Sequence, residues 1–144
     1  SRQVEIRLFS ALAAMLLASP ALAQGDAVAG EAAFRQCVAC HVVATPDGDT
    51  LAGRAGRTGP NLYGIGGRVA GSVEGFRYSP ALAALNEAGV VWDEASFAAY
   101  VQDPTAFARE ATGNNGLRSS MSFRVRNEQD ALDLYAYITS LSDG

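Results

Sequence analysis

The segment CVACH, residues 37–41, contains both cysteines and the single histidine of this 144-residue chain. A C-x-x-C pair followed directly by histidine has four chemical interpretations: a redox dithiol, part of a zinc site, a structural disulfide, or the attachment motif of c-type haem. A thioredoxin-like dithiol needs a βαβ neighbourhood, which the sequence does not indicate. A structural zinc site needs four ligands, whereas Cys37, Cys40 and His41 supply three. A disulfide alone would leave His41 without a role.

Covalent haem attachment explains both the residue types and their spacing. Two thiols add to the haem vinyl groups, and the imidazole of the next residue then lies under the iron as an axial ligand. We therefore predict that Cys37 and Cys40 hold one haem and that His41 binds its iron. Of the two methionines, Met15 lies in an apolar N-terminal segment and Met121 lies in the polar loop RSSMSF. Met121 is the predicted second axial ligand, and the alternative is that it fills a gap in the core.

The N-terminal segment has the features of a secretory signal. Two arginines precede an apolar run over residues 8–17, and a small-x-small cleavage site follows at residues 21–23. An uncleaved membrane anchor is the alternative, although a span needs about 20 apolar residues and this run is shorter. We predict a signal peptide over residues 1–23 and one domain over residues 24–144, located in the periplasm of a bacterium with two membranes.

The charge of the chain argues against binding to nucleic acid. The formal net charge is −4, and all eleven basic residues are arginine. A protein that neutralises phosphates needs an excess of cations, so no nucleic-acid partner is expected.

The hydrophobic periodicity predicts an all-α fold of about four to five helices. No segment alternates in the manner of a β-strand. Residues 44–79 are rich in glycine and proline, and a loop of that length is expected to wrap around a bound group. The predicted helices cover residues 25–38, 79–89, 92–104 and 127–141, and Pro104 either ends the third helix or starts another. The expected N-caps are Asp26, Ser79, Asp93 and Asn127.

These residues resemble the class I cytochromes c, and in particular the bacterial cytochrome c2 type, including its secondary forms. Four stretches carry the resemblance: GEAAFRQCVACH, TGPNLYGIGGR, VVWDEASFAAYVQDP and the pair MSF and DLYAYI. The resemblance covers about residues 25–141. The resemblance implies a cytochrome c fold, with helices and long loops wrapped around one covalently bound haem c and its iron.

The resemblance also implies roles for further residues. The Pro60 carbonyl accepts a hydrogen bond from the ring N–H of His41, and Tyr100 donates one to the sulfur of Met121. Phe123 lies at the exposed haem edge.

The family places a haem propionate against Arg68, Tyr78 and Trp92. Taken without the family, these three would be a solvated charge, a loop aromatic and a core tryptophan. Gly30 and Phe34 match the point at which the first helix crosses the last, where the matching residues are Leu134 and Tyr137.

The implied function is that of a soluble periplasmic one-electron carrier and not an enzyme, because both axial positions of the iron are filled. It would act as a monomer, without a small-molecule substrate, between a quinol-oxidising cytochrome complex and an oxidase or photosynthetic reaction centre. The alternatives are a haem peroxidase-like enzyme and a gas-sensing haem protein with a labile methionine. The family docks through lysines at the haem edge, and this chain has none. Arginines near Met121 are the predicted substitutes: Arg109, Arg118, Arg124 and Arg126.

Overall fold

The computed structural model describes residues 25–142, so the predicted signal peptide lies outside the described residues. None of the helices in this range has the length and apolar character that crossing a membrane requires. The helices are α1 (Ala27–Ala33), α2 (Pro80–Glu87), α3 (Glu94–Gln102), α4 (Pro104–Thr112) and α5 (Glu128–Ser140). The predicted all-α class is confirmed, and α5 packs against both α1 and α3 while α4 packs against α2 and α3.

Side-chain caps set the helix starts, as the sequence predicts. The Asp26 carboxylate accepts a hydrogen bond from the Val28 N–H at 2.9 Å, and the Ser79 hydroxyl caps α2 in the same way. Asp93 and Asn127 cap α3 and α5. Each cap satisfies an amide that has no partner within its helix. Pro104 starts α4, because proline lacks only the N–H that a first helical turn does not use.

The first helix is shorter than the predicted range of residues 25–38. It ends at Ala33 and continues as a single 3₁₀ turn over Phe34–Gln36. The backbone then turns through the cysteine motif, where the Cys37 N–H donates to the Phe34 carbonyl at 2.8 Å and the His41 N–H donates to the Cys37 carbonyl at 2.9 Å. These turns carry His41 away from the helix.

The expectation of no β-strand is wrong in one place. Strands β1 (Val43–Ala44) and β2 (Thr50–Ala52) form an antiparallel pair. Segments of two and three residues are too short to show an alternating pattern, which explains why the sequence does not indicate them. The Asn61 side-chain amide binds the other edge of β1. Its oxygen accepts a hydrogen bond from the Ala44 N–H at 3.0 Å, and its nitrogen donates to the Ala44 carbonyl at 2.9 Å.

The two ends of the described chain meet where α1 crosses α5. A Cβ on Gly30 would collide with the Asp133 carbonyl oxygen and would lie 2.7 Å from the Cβ of Tyr137, so only glycine fits this backbone contact. The Phe34 and Tyr137 rings pack with centroids 5.8 Å apart. The Asp26 N–H donates to the Asp133 carboxylate at 2.8 Å. Leu134, the other expected partner, is buried and lines the central cavity.

The long glycine- and proline-rich segment wraps around this cavity, as its length predicts. Residues 53–79 contain no helix and pair as a strand only at the Val69–Val91 bridge. Residues from this segment form one wall of the cavity. The opposite walls come from CVACH, from α3 and α5, and from the loop that carries Met121.

A candidate haem site

One cavity of about 330 Å³ brings together every site residue that the sequence and the family resemblance indicate. Its volume lies within the range of cofactor and ligand pockets, roughly 300–1,000 Å³. Residues up to 86 positions apart in the sequence therefore share one surface. The indicated residues are Cys37, Cys40, His41, Pro60, Arg68, Tyr78, Trp92, Tyr100, Met121 and Phe123.

The His41 ring is held in an orientation that suits a metal ligand. Its Nδ1 lies 2.9 Å from the Pro60 carbonyl oxygen, so Nδ1 carries the proton and Nε2 is left as the coordinating nitrogen. Burial lowers the pKa of His41, while the hydrogen bond to Pro60 opposes that shift. The neutral imidazole is the form that binds iron. A Cβ on Gly59 would collide with the ring, so glycine is required beside it.

The two cysteines lie next to His41 and both thiols are free. Cys37 is half-buried and Cys40 is exposed. Burial, together with the nearby Cys40 thiol, raises the pKa of Cys37 to about 11. Within residues 25–142 no group of three or more His, Cys, Asp or Glu side chains is arranged to hold a metal ion.

Arg68 places a positive charge in the cavity wall. Its guanidinium donates to the backbone carbonyls of Tyr63 at 2.7 Å and Asn61 at 3.2 Å. Burial lowers the pKa of Arg68, while the Coulombic effect of Tyr78 raises it. No acidic side chain of the described chain forms an ion pair with this guanidinium. A half-buried cation without a counter-ion is suited to a carboxylate of a bound group.

Two aromatic side chains add hydrogen-bond donors near Arg68. The Tyr78 hydroxyl oxygen accepts a hydrogen bond from the Val73 N–H at 3.0 Å, which leaves its own proton to donate. Trp92 is 6 % exposed, and its backbone N–H donates to the Arg68 carbonyl at 2.9 Å. No acceptor among residues 25–142 takes the indole N–H of Trp92.

The Met121 side of the cavity contains a residue that sequence reasoning missed. The Tyr100 hydroxyl lies 2.7 Å from the Ser119 Oγ, and the Met121 N–H donates to that same oxygen at 3.2 Å. The implied contact between Tyr100 and the Met121 sulfur stays a prediction. The sequence offers no signal that separates Ser119 from Ser120 and Ser122 on either side, because only Ser119 is buried in the fold.

Several residues that line the cavity are exposed, so the cavity opens to solvent. Phe123, one of them, is 45 % exposed. Cys40 is exposed as well. An edge of a bound group at this opening would lie close to solvent.

The residues present fit haem c. Two thiols and an imidazole are adjacent on one wall, a thioether lies in the loop that forms another wall, and a cation with two further donors is available for carboxylates. The rest of the lining is mainly apolar, as the porphyrin requires. Its main apolar members are Leu62, Ile65, Leu82, Phe97, Val101, Leu134 and Ile138.

Comparison with known proteins gives the same answer. No protein-family model matches this sequence. The chain is 53 % identical over 117 residues to the cytochrome c2 of Rhodovulum adriaticum, a match that covers 81 % of this chain and 93 % of that protein. It is 43 % identical over 140 residues to a cytochrome c2 of Cereibacter sphaeroides, which covers 96 % of both chains.

Solved structures agree with these relatives. The crystal structure of cytochrome c2 from Rhodobacter sphaeroides matches with a TM-score of 0.78 and 44 % sequence identity, over 80 % of this chain and 94 % of that one. Because the likeness in sequence and in structure extends over nearly all the described residues, this protein belongs to the cytochrome c2 family of electron-transfer proteins and carries one covalently attached haem c.

Proposed function

We propose that this protein is a soluble periplasmic one-electron carrier whose haem iron is bound by His41 and Met121. The observation that carries the proposal is the pairing of His41 Nδ1 with the Pro60 carbonyl at 2.9 Å in a cavity that Met121 also lines. That hydrogen bond leaves Nε2 free for iron, and Met121 supplies the thioether that a second axial position needs.

The haem supplies an iron that accepts and releases one electron. Around it, Cys37 and Cys40 fix the attachment point, and Pro60 sets the tautomer of His41. Arg68, Tyr78 and Trp92 hold the haem carboxylates, which keeps their negative charge paired inside the protein. With His41 and Met121 both bound to the iron, no coordination position would remain for a substrate, so the protein would transfer electrons without catalysing a reaction of its own.

Electrons would leave and enter through the open edge beside Phe123 and Cys40. The donor is a quinol-oxidising cytochrome complex, and the acceptor is an oxidase or a photosynthetic reaction centre. Each docks transiently at this edge with a monomer of the carrier. This assignment rests on the resemblance to the cytochrome c2 family.

Binding of carbon monoxide separates the carrier from an enzyme or a gas sensor. A haem peroxidase-like enzyme or a gas-sensing haem protein would have an open or labile sixth position. We expect the ferrous spectrum at neutral pH to be unchanged by carbon monoxide, and the ferric spectrum to show the sulfur-to-iron charge-transfer band of methionine ligation. The variant Met121→Ala is the matched control, since it opens the position and should bind carbon monoxide. Strong binding by the wild-type protein would refute the carrier assignment.

A further inference from the structure

The loop between α4 and Met121 contains the one asparagine–glycine pair of the sequence, Asn115–Gly116. The first four residues of this loop, 113–116, are all exposed. The Asn114 N–H donates to the Thr112 hydroxyl at 3.2 Å, and the Gly116 N–H donates to the Asn114 side-chain oxygen at 2.8 Å. Among the described residues, none forms a hydrogen bond with the Asn115 carboxamide. This carboxamide is therefore held by no contact that would keep it from the backbone beside it.

An exposed asparagine that precedes glycine can lose its side-chain amide without an enzyme. The backbone nitrogen of the glycine gives up its proton and attacks the asparagine Cγ. The bond from Cγ to the side-chain nitrogen breaks, and ammonia leaves. Water then opens the cyclic imide to aspartate or isoaspartate, which carries one new negative charge. Glycine favours the attack because it has no Cβ to shield its nitrogen.

Neither the backbone nor the packing requires glycine at residue 116. The φ of Gly116 lies outside the left-handed region, unlike that of Gly113, which ends α4 at φ 75°. A Cβ on Gly116 would meet only the Asn114 side-chain oxygen, at 3.3 Å. The variant Gly116→Ala therefore changes the reactivity of the pair while the fold is retained.

The Asn114 side chain opposes the reaction. The attacking group is the Gly116 nitrogen, and its proton points to the Asn114 oxygen at a distance typical of a good N–H···O hydrogen bond. This hydrogen bond has to break before the nitrogen can lose its proton and turn toward the Asn115 Cγ. The loop thus contains both a reactive pair and the contact that slows it.

We propose that Asn115 is a site of spontaneous deamidation, with water as the co-reactant, and that the Asn114 carboxamide limits its rate by holding the Gly116 N–H. The Leu117 N–H donates to the Asn114 carbonyl at 3.4 Å, so Asn115 lies in a turn that the exposed Arg118 directly follows. The negative charge of the product therefore opposes the charge of Arg118. This inference goes beyond the proposed function and does not depend on the iron ligands.

The test follows conversion of the haem-loaded protein during incubation at mildly alkaline pH, which eases removal of the amide proton. Trypsin releases residues 110–118, and mass spectrometry of this peptide measures the mass gained when the amide NH₂ is replaced by OH and assigns it to Asn115. We expect Asn114→Ala to convert about five times faster than the wild type, which corresponds to a hydrogen bond of about 1 kcal/mol. Asn115→Gln and Gly116→Ala should show no gain over the same period.

Asn114→Asp is the matched control, because it keeps a side-chain oxygen that accepts the Gly116 N–H and should convert no faster than the wild type. A wild-type rate in Asn114→Ala, or an equally fast Asn114→Asp, would overturn the role of Asn114. The protein unfolded in guanidinium supplies the rate without the folded contact. If Asn115 stayed intact in folded Asn114→Ala for a period in which the unfolded protein converts, Asn115 would not be a deamidation site.

A second measurement tests the effect of the new charge. Asn115→Asp reproduces the charge of the product, and its haem-loaded form should be oxidised by ferricyanide more slowly than the wild type at low salt, because surface attraction of the anion is weakened. Asn115→Gln changes the same residue without adding charge and should react at the wild-type rate. Equal rates for Asn115→Asp and Asn115→Gln would show that the modification leaves the positive charge of this loop without effect on the encounter.

Discussion

At the scale of single residues, His41, the proposed iron ligand, is oriented by Gly59 and Pro60. Pro60 supplies the acceptor for Nδ1, and Gly59 supplies the space in which the ring lies. A ligand fixed in this way needs no rearrangement when it binds iron, which is the general advantage of supporting contacts around a metal site. The site therefore depends on the absence of a side chain at residue 59 as much as on the imidazole itself.

The substitution Gly59→Ala tests this dependence. An ideal Cβ would lie only 2.7 Å from His41 Nδ1, so the ring or the loop must shift. We expect the haem-loaded protein to lose about 1–3 kcal/mol of stability, the usual cost of overpacking, measured by guanidinium unfolding. Gly116→Ala is the control, because a Cβ there meets only the side-chain oxygen of Asn114 at 3.3 Å. Equal stability of the two variants would show that the loop can shift away from the added Cβ without loss of stability.

The sequence could predict those site residues whose chemistry is rare in the chain. The single histidine, the cysteine pair and a methionine outside any helical stripe limit the choice of ligands by themselves. Ser119 could not be predicted, because its role depends on the folded contact with Tyr100 across 19 residues. The same holds for Gly59, whose requirement becomes visible only when the ring of His41 is in place.

At the scale of elements, α3 positions the aromatic wall of the cavity and is itself held by its cap. The Asp93 carboxylate accepts the Ser96 N–H at 2.8 Å, and the Ser96 hydroxyl accepts the Asp93 N–H at 2.9 Å. The Ser96 hydroxyl also donates to the Val91 carbonyl at 2.8 Å. This closed set of hydrogen bonds fixes the start of the helix that carries Tyr100.

The cap makes a pH-dependent contribution to stability. Hydrogen bonds from the Ser96 backbone and side chain lower the pKa of Asp93. A carboxyl group with a lower pKa in the folded state stabilises the fold above its unfolded pKa, near 3.9, and that stabilisation is lost as the pH falls through the folded value. Asp93→Ala should cost about 1 kcal/mol at neutral pH, measured by guanidinium unfolding.

The loss of stability caused by Asp93→Ala should be smaller in acid, because the wild-type carboxyl is then protonated. Asp93→Asn is the matched control, because asparagine caps equally well and does not titrate. We expect the difference in free energy of unfolding between Asp93→Asn and Asp93→Ala to stay constant over the acid range. The difference in free energy of unfolding between wild type and Asp93→Ala should become smaller. If the wild type remained more stable than Asp93→Ala by the same free energy in acid, the charge of Asp93 would have no role.

Helix starts could be predicted from the sequence better than helix ends or strands. Asp26, Ser79, Asp93 and Asn127 are side chains whose local hydrogen bonds decide where a helix begins. The end of α1 depends instead on the turn through CVACH. The strand pair depends on Asn61, which lies 17 residues from the Ala44 backbone that it binds. Such contacts leave no periodic signal in the sequence.

At the scale of the whole molecule, the arginines around the Met121 loop divide into two groups. Arg109 Nε donates to the Leu117 carbonyl at 2.8 Å, and Arg124 donates to the Gln102 carbonyl at 3.0 Å and pairs with Asp103 at 3.1 Å. These two fasten the loop to α3 and α4. Arg118 and Arg126 are exposed and form no ion pair with the acids that the structure describes. Arg118 and Arg126 are therefore the two arginines of this group whose guanidinium groups form no hydrogen bond or ion pair with a described residue.

We predict that Arg118 and Arg126 accelerate reaction with anionic partners. The double variant Arg118→Gln/Arg126→Gln should slow oxidation by ferricyanide several-fold at low salt and reduce its dependence on ionic strength, because attraction at the surface raises the encounter rate and salt screens it. Oxidation by a cationic cobalt complex should not slow. Stopped-flow absorbance measures both rates.

The control is Arg35→Gln/Arg54→Gln, which changes the net charge equally at two exposed arginines outside the Met121 loop. It should affect ferricyanide oxidation less than the test variant does. Equal effects of the two double variants would assign the attraction to the net charge and not to the face near Met121.

The crossing of α1 and α5 also has a consequence for the order in which the protein is made. The bond between Asp26 and Asp133 joins residues 107 positions apart, so the described fold closes only when its last helix has been synthesised. CVACH precedes Leu134 and Ile138, which form part of the cavity wall, by more than 90 residues along the chain. Until those residues follow, the thiols have no completed wall beside them. The cavity that takes the haem is thus finished by the last helix of the described chain.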